Sequence, residues 1–277
     1  MTDPPGSPAD SGSTAGDALA ATHPEHHALP TRPRGWRRRL NVLAKALALV
    51  TGLLLLLSVL LVGLMRWLDP PTSAFMLQHW VGATFAGEPR PRVYHEWVGA
   101  DAIPPAVALA AVAAEDQRFP RHRGFDLVQL KQAWADFRAG ERLRGASTIT
   151  QQTAKNLFLW PGRDPVRKVL EAWLTVVIET LWPKERILEV YLNIAQFAPD
   201  TFGVGAASWR FFDRPVVALT ASEAARLAAV LPNPDIYRLE SPSATVERRT
   251  SWIRRQMRQL GGTRYLAGVW PTSTGTR

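Results

Sequence analysis

From Ala46 to Met65 the chain carries no charged side chain and is dominated by Leu and Val. About 20 such residues are what a helix needs to cross the hydrocarbon layer, so the pattern predicts a membrane span. A cleaved signal peptide would have a shorter apolar core and a small-residue cleavage site; here the run ends in Met65-Arg66-Trp67, so the segment is expected to stay attached as an anchor. Past Asp69-Pro70-Pro71 the spacing of apolar positions becomes helical. Residues 104–116 open with proline and are apolar on nearly every face, the pattern of a buried helix. Residues 124–139 keep a helical period through Phe125, Val128, Leu130 and Trp134. From Pro165 to Leu181 apolar side chains recur three and four apart, and residues 185–193 predict a shorter helix. Thr220 or Ser222 is placed to cap a helix through Leu231, stopped by Pro232 and Pro234, and residues 246–260 predict a basic amphipathic helix ended by Gly261-Gly262. No run of alternating strands is visible, so the expected class is mainly α. The first 35 residues are rich in Pro, Gly, Ser, Thr and Ala, with too few large apolar groups to offset the entropy of ordering, and predict a disordered tail. His23, His26 and His27 within it read either as a solvated polar tract or as a metal-binding run.

Composition narrows the chemistry. With 46% hydrophobic and 21% charged residues, the chain can bury a core. Zero cysteines exclude disulfides, thiol nucleophiles and cysteine-ligated metals. The formal net charge of +9 favours an anionic partner without choosing among nucleic acid, phospholipid and phosphorylated substrate. The span makes the choice. Arg32, Arg34, Arg37, Arg38, Arg39 and Lys45 precede it, whereas Arg66 opposed by Asp69 follows, so the basic side is expected in the cytoplasm and everything from about residue 67 outside it. Nucleic acid is thereby removed as a partner, and an anionic lipid or lipid-linked phosphate becomes the expected one.

Two clusters carry candidate chemistry. Glu115 ends the apolar helix and is followed by Asp116, Arg118, Phe119 and His122. A carboxylate delivered by a greasy helix into a partly dry cleft should have a raised pKa and could act as a general base; equally it could be a helix-end carboxylate paired with Arg118 or Arg121. The second cluster runs through Gly145, Ala146, Ser147, Thr148, Gln151, Gln152 and Lys155 to Arg163, Arg167 and Lys168. Cations interleaved with amides and hydroxyls suit a pyrophosphate, or form a solvated basic face. Leu157-Phe158-Leu159-Trp160 inside that run favours a site dipping into lipid. Glu171 follows Arg167 by four residues and Lys168 by three, the spacing of an intrahelical ion pair, and is otherwise the second carboxylate of the cleft. The arginines of the 246–260 helix read as headgroup contacts or as an ordinary basic face.

The segments AAEDQRFPRHRGFD, RGASTITQQTAKNLFLWPGRDPVRKVLEAW, PKERILEVYLNIA and EAARLAAVLPNP, in that order, resemble the motifs of the family 51 glycosyltransferases, over roughly residues 67 to 262. The likeness is greatest to members with one span and no transpeptidase domain. It implies a lysozyme-like, mainly α domain with a large lobe and a smaller membrane-proximal lobe. The implied order is a cytoplasmic tail (1–35), basic flank and anchor (36–67), extracytoplasmic glycosyltransferase domain (68–262) and C-terminal tail (263–277), anchored in the inner membrane with the catalytic domain periplasmic. The implied activity is polymerisation of lipid II: the lipid-linked glycan is transferred to the acceptor's GlcNAc 4-hydroxyl with inversion and loss of undecaprenyl pyrophosphate. By position, Glu115 matches the catalytic base and Glu171 the second important glutamate. Lys155 and Arg163, with Arg167 and Lys168 adjoining, match the cations that hold the pyrophosphate. Ser147, Gln151 and Gln152 match residues of the donor cleft, and Asp116, Phe119 and His122 the first motif, where orientation of Glu115 and packing are expected. Lys184, Arg186, Glu189, Tyr191 and Asn193 match a motif that braces the core. No metal ligand and no required cofactor are implied, with room for a divalent cation, Mg or Mn, at the donor pyrophosphate. Expected partners are lipid II, nascent lipid-linked glycan, the membrane and, as candidates, other wall-synthesis proteins. The chain departs from the family after YLN, where Gln196, Ala198, Pro199 and Asp200 precede Gly203-Val204-Gly205.

Two other readings compete. A lysozyme-type hydrolase would use acidic residues on the same kind of scaffold, but needs an acid for a sugar leaving group and a route for water. A catalytically silent membrane scaffold would be kept only for its surface.

Overall fold

A computed structural model describes residues 35–87, 92–140, 147–162 and 164–271. The N-terminal tail through residue 34, with its three histidines, and Gly145, Ala146 and Arg163 lie outside the described residues. Helix α1 spans Gly35–Leu64, of which Trp36–Leu64 is long and apolar enough to cross a membrane. Gly52–Arg277 forms one compact unit and the chain up to Thr51 another.

Within the larger unit the fold is mainly helical, as the periodicity predicts. Helix α2 (Ala74–Phe85) is capped by Ser73. A two-residue strand, β1 (Tyr94–His95), leads to α3 (Pro105–Glu115), whose residues Val107–Ala113 are all buried. Helix α4 (Leu127–Arg138) begins later than its apolar period suggests, because Gly124 takes a left-handed φ of 81° and Asp126 caps the helix through the amides of Val128 and Gln129. Helix α5 (Ile149–Phe158) starts from a capping box in which Thr148 and Gln151 satisfy each other's backbone amides. Helices α6 (Pro165–Leu181) and α7 (Lys184–Ile194) follow, then the hairpin β2 (Gln196–Ala198) and β3 (Thr201–Phe202) and α8 (Val204–Phe212). Helix α9 (Ala221–Val230) has a second capping box, Thr220 with Glu223, and α10 (Ala244–Gln259) is capped by Ser243.

The core is built from α3 packed on α9 and α10, and from α5 packed on α6 and α7. Helix α10 turns Val246, Thr250, Ile253 and Met257 inward, so its apolar stripe is used in packing and only its basic face looks outward. Packing continues past residue 262: a 3-10 turn, Gly262–Leu266, lies on α3, and Leu266 and Trp270 are buried in the core, beyond the point where the sequence places the end of the domain.

The strands are too short for alternation to reveal them. They form a sheet of order β1-β3-β2, with β1 parallel and β2 antiparallel to β3. The sheet is held by Asn193, wholly buried, which donates to Val98 O at 2.8 Å and accepts from Val98 N at 2.8 Å. Gly203 passes so close that a Cβ there would stand 2.6 Å from Asn193 O, at a φ of 80° that L side chains rarely adopt. The departure from the family pattern at 196–205 is thus this hairpin. Its Ala198, Pro199 and Asp200 line a cavity of about 390 Å³ together with Arg92, Arg210 and Tyr237.

Candidate functional site

Helix α3 carries no charged side chain until its last residue, and that residue is Glu115. Only 12% of its side chain is exposed. Gln152 Nε2 of α5 donates to Oε2 at 3.0 Å, and Arg249 Nη2 of α10 donates to Oε1 at 3.1 Å. Neither Arg118 nor Arg121 takes the role of partner: Arg118 pairs with Asp126 at 3.2 Å. Burial pushes the Glu115 pKa above its ordinary 4.5, and Gln152, Arg249 and Lys155 only partly offset that push. The carboxylate opens onto a cleft of about 400 Å³ lined also by Gln129, Gln132, Asp136, Ser147 and Trp252.

Arg249 was not among the residues the sequence singles out for Glu115; it stood with the headgroup-facing arginines. Its place is readable in retrospect, since position 249 falls three after Val246 and four before Ile253, in phase with the buried stripe of α10. Trp252, on the cleft wall, was missed for the same reason. Tyr191 of α7, named in the sequence as part of the motif that braces the core, is buried there: its hydroxyl has no hydrogen-bond partner among the described residues, and burial plus the charges of Glu115 and Asp116 hold its pKa well above 10.0.

One turn beyond Gln152 on α5 stands Lys155. Among the described residues its ammonium makes no hydrogen bond or ion pair; it lies over the Phe75 ring at 5.4 Å. Burial lowers its pKa from 10.5, Glu171 and Glu115 pull it back up, and Arg167 and Lys168 push it down. Lys155 therefore sits within electrostatic reach of both carboxylates and both α6 cations. Glu171 is buried and fully committed: Arg167 Nη1 donates to Oε2 at 2.6 Å, and Lys168 pairs with Oε1. Asp164, nearby, accepts from Arg167 N and Trp160 Nε1. With these carboxylates engaged, the described residues around Lys155 do not fit a divalent cation.

The remaining first-motif residues form a brace. His122 Nε2 contacts both oxygens of Asp116, at 2.9 and 3.0 Å, and Asp116 Oδ2 accepts from Ile149 N at 3.0 Å, fastening the start of α5 to the end of α3. Asp116, His122 and Asp126 place one ligand atom each within 4.8 Å of one another, but each already serves this network or the α4 cap. Phe119 is sealed in the core beneath Lys184 Nζ, 4.3 Å from its ring, so it packs and offers a substrate no surface. Gln151 is likewise spent in the capping box and does not line the cleft, whereas Gln152 and the exposed Ser147 do face Glu115 and its cleft. The apolar tetrad is mostly core as well: Leu157 and Leu159 are buried, and only Trp160 turns out.

The raised pKa has two consequences with a definite sign. A base at Glu115 works only when ionised, so turnover should rise with pH through its elevated pKa. For stability, the folded state holds the proton to higher pH than the unfolded chain does, so folding loses stability as pH climbs above 4.5 and stays penalised beyond the folded pKa. Glu115→Gln should therefore gain stability relative to wild type as pH rises, as thermal unfolding from about pH 4 to about pH 8 will show. A pH-independent difference would contradict the buried, raised carboxylate.

Comparison with known proteins identifies the family. A family model described as transglycosylase matches residues 83–258. Among curated relatives, a biosynthetic peptidoglycan transglycosylase of Klebsiella oxytoca is 55% identical over 202 residues, 73% of this chain and 84% of that one. Proteins of the same description from Xanthomonas campestris pv. campestris (strain B100) and Cronobacter sakazakii are each 50% identical, over 84% and 83% of this chain and 94% and 96% of theirs. With more than half of its length matched by the family model, and about half of the aligned residues identical to relatives along most of their length, the chain belongs to the transglycosylase family and is a glycosyltransferase.

Proposed function

We propose that this enzyme polymerises peptidoglycan glycan strands at a membrane surface, using lipid II as acceptor and the lipid-linked growing glycan as donor. Glu115 takes the proton from the acceptor's GlcNAc 4-hydroxyl as that oxygen attacks the donor's anomeric carbon; the bond to pyrophosphate breaks from the opposite face, giving inversion and free undecaprenyl pyrophosphate. Lys155, with Arg167 and Lys168 and with Arg163 beside them in sequence, stabilises the charge that grows on the leaving group. Glu171 positions these cations, and Ser147, Gln152 and the Asp116–His122 brace shape the cleft. The N-terminal basic flank supports a cytoplasmic tail, with the catalytic unit on the other side of the inner membrane.

The observation that carries this reading is α5: Gln152 fastens Glu115, and Lys155 on the same helix stands between Glu115 and Glu171. A raised carboxylate alone would serve the acid of a hydrolase equally well. An uncommitted ammonium backed by two further cations favours an anionic leaving group, which needs charge stabilisation more than it needs a proton. Lys155→Ala should lower lipid II polymerisation about 10²- to 10³-fold, the range for loss of one preorganised electrostatic contact. Unaltered donor binding and turnover in that variant would remove the pyrophosphate from this place.

A further inference from the structure

A further cavity, of about 300 Å³, opens where α3, the first turn of α9, the C-terminal half of α10 and the 3-10 turn after it come together. Leu109 of α3 and Met257 of α10 form its apolar wall, and Arg254 and Arg258 of α10 line it as well. It shares no lining residue with the cleft at Glu115. Along α3 the two are about 9 Å apart, since Glu115 follows Leu109 by six residues.

Wall and cations differ in how far they are committed. Leu109 and Met257 are core side chains, 1% and 6% exposed, so the apolar surface they offer is fixed by packing. Arg254 and Arg258 are exposed, and among the described residues neither makes a hydrogen bond or an ion pair. Standing four apart on one helix, the two like charges repel, and no carboxylate lies three or four residues from either to relieve them. An anion seated between them would remove that repulsion and accept from both guanidinium forks.

We propose that this cavity binds a single-chain aliphatic carboxylate, with its chain on Leu109 and Met257 and its head between Arg254 and Arg258. The hydroxyls of Ser222 and Thr263, which also line the cavity and are unengaged among the described residues, are further donors for the head. The volume stands at the lower end for small-molecule pockets, room for one chain and not for the paired chains of a phospholipid. The apolar wall selects against a bare inorganic anion, and the two uncommitted arginines against a neutral lipid. Nothing in this site depends on the reaction at Glu115.

The test exposes the full-length protein in detergent to decanoate carrying a photoreactive diazirine and maps the labelled peptides by mass spectrometry. Label is expected at the cavity, and unlabelled decanoate should displace it at concentrations at least about tenfold lower than decanol or inorganic phosphate requires. Arg254→Ala combined with Arg258→Ala should weaken labelling by about tenfold or more, the value of one hydrogen bond to a charged group. Ser222→Trp, which fills the cavity from its rim, should abolish it. Thermal unfolding of both variants should stay close to that of wild type, which separates a lost site from a lost fold. Displacement by decanol as readily as by decanoate would leave an apolar pocket with no anion site, and equal displacement by phosphate a basic patch with no place for a chain. Either result, or label unchanged in Ser222→Trp, would overturn the assignment.

Discussion

Glu115→Gln is expected to reduce lipid II polymerisation by about two to four orders of magnitude, the span that positioned general bases contribute. The amide keeps the shape of the side chain and its one oxygen can still accept from either Gln152 or Arg249, so the cleft should persist, and the variant should bind substrate while failing to turn it over. The contrast between binding and turnover is what separates a base from a structural carboxylate. If Glu115 only tied α3 to α5 and α10, glutamine would preserve most of the activity. Measured by glycan chain formation and by binding of a non-reacting donor analogue, a loss confined to kcat supports the base, and a loss confined to KM contradicts it.

Glu171→Ala should be the most destabilising single change at the site. Its carboxylate is buried against Arg167, itself buried, while Lys168 is half exposed. Removing one partner of a buried ion pair leaves the other charge uncompensated, at a cost of about 3–5 kcal/mol. The exposed Lys168 contact adds little, because water screens it. For a domain of this size the loss corresponds to a fall in Tm of roughly 10 °C. Glu171→Gln, which keeps acceptor capacity, should fall less. Thermal unfolding of the two variants checks the ordering, and a shift in Glu171→Ala within error of wild type would mean that Arg167 finds water or another partner, and that the pair does not hold α6 together.

Both effects concern residues that were visible in the sequence, and what was visible followed the physics of each segment. Helices α6, α7, α9 and α10 have one apolar and one polar face, and their spacing predicted them closely. Helix α2 is apolar nearly all round, with Leu77, Trp80 and Phe85 turned outward, so it has no period to detect. Helix α5 is short and rich in hydroxyls and amides, so no apolar period announces it, and the capping box of Thr148 and Gln151 that starts it emerged only from the structure. Strands of two and three residues leave no alternation at all.

The site divides in the same way. Glu115 at the end of an uncharged helix, and the ion-pair spacing of Glu171 with Arg167 and Lys168, are local facts that a chain written out in line displays. The bond between Glu115 and Arg249 joins residues 134 positions apart and depends on α10 lying across α3, which no local pattern announces. The basic helix therefore suggested headgroups when one of its arginines was turned inward. Lys155 is intermediate: the sequence places it in a basic run, but only the packing of α5 between α6 and α7 sets it apart from the paired cations around it.

The most direct test of the account is to give the purified full-length protein lipid II in one reaction and finished, lipid-free glycan in another. A base at Glu115 facing cations built for a pyrophosphate predicts that lipid II is lengthened with release of undecaprenyl pyrophosphate, and that finished glycan stays intact. Cleavage of the finished glycan, with lipid II left unpolymerised, would contradict it.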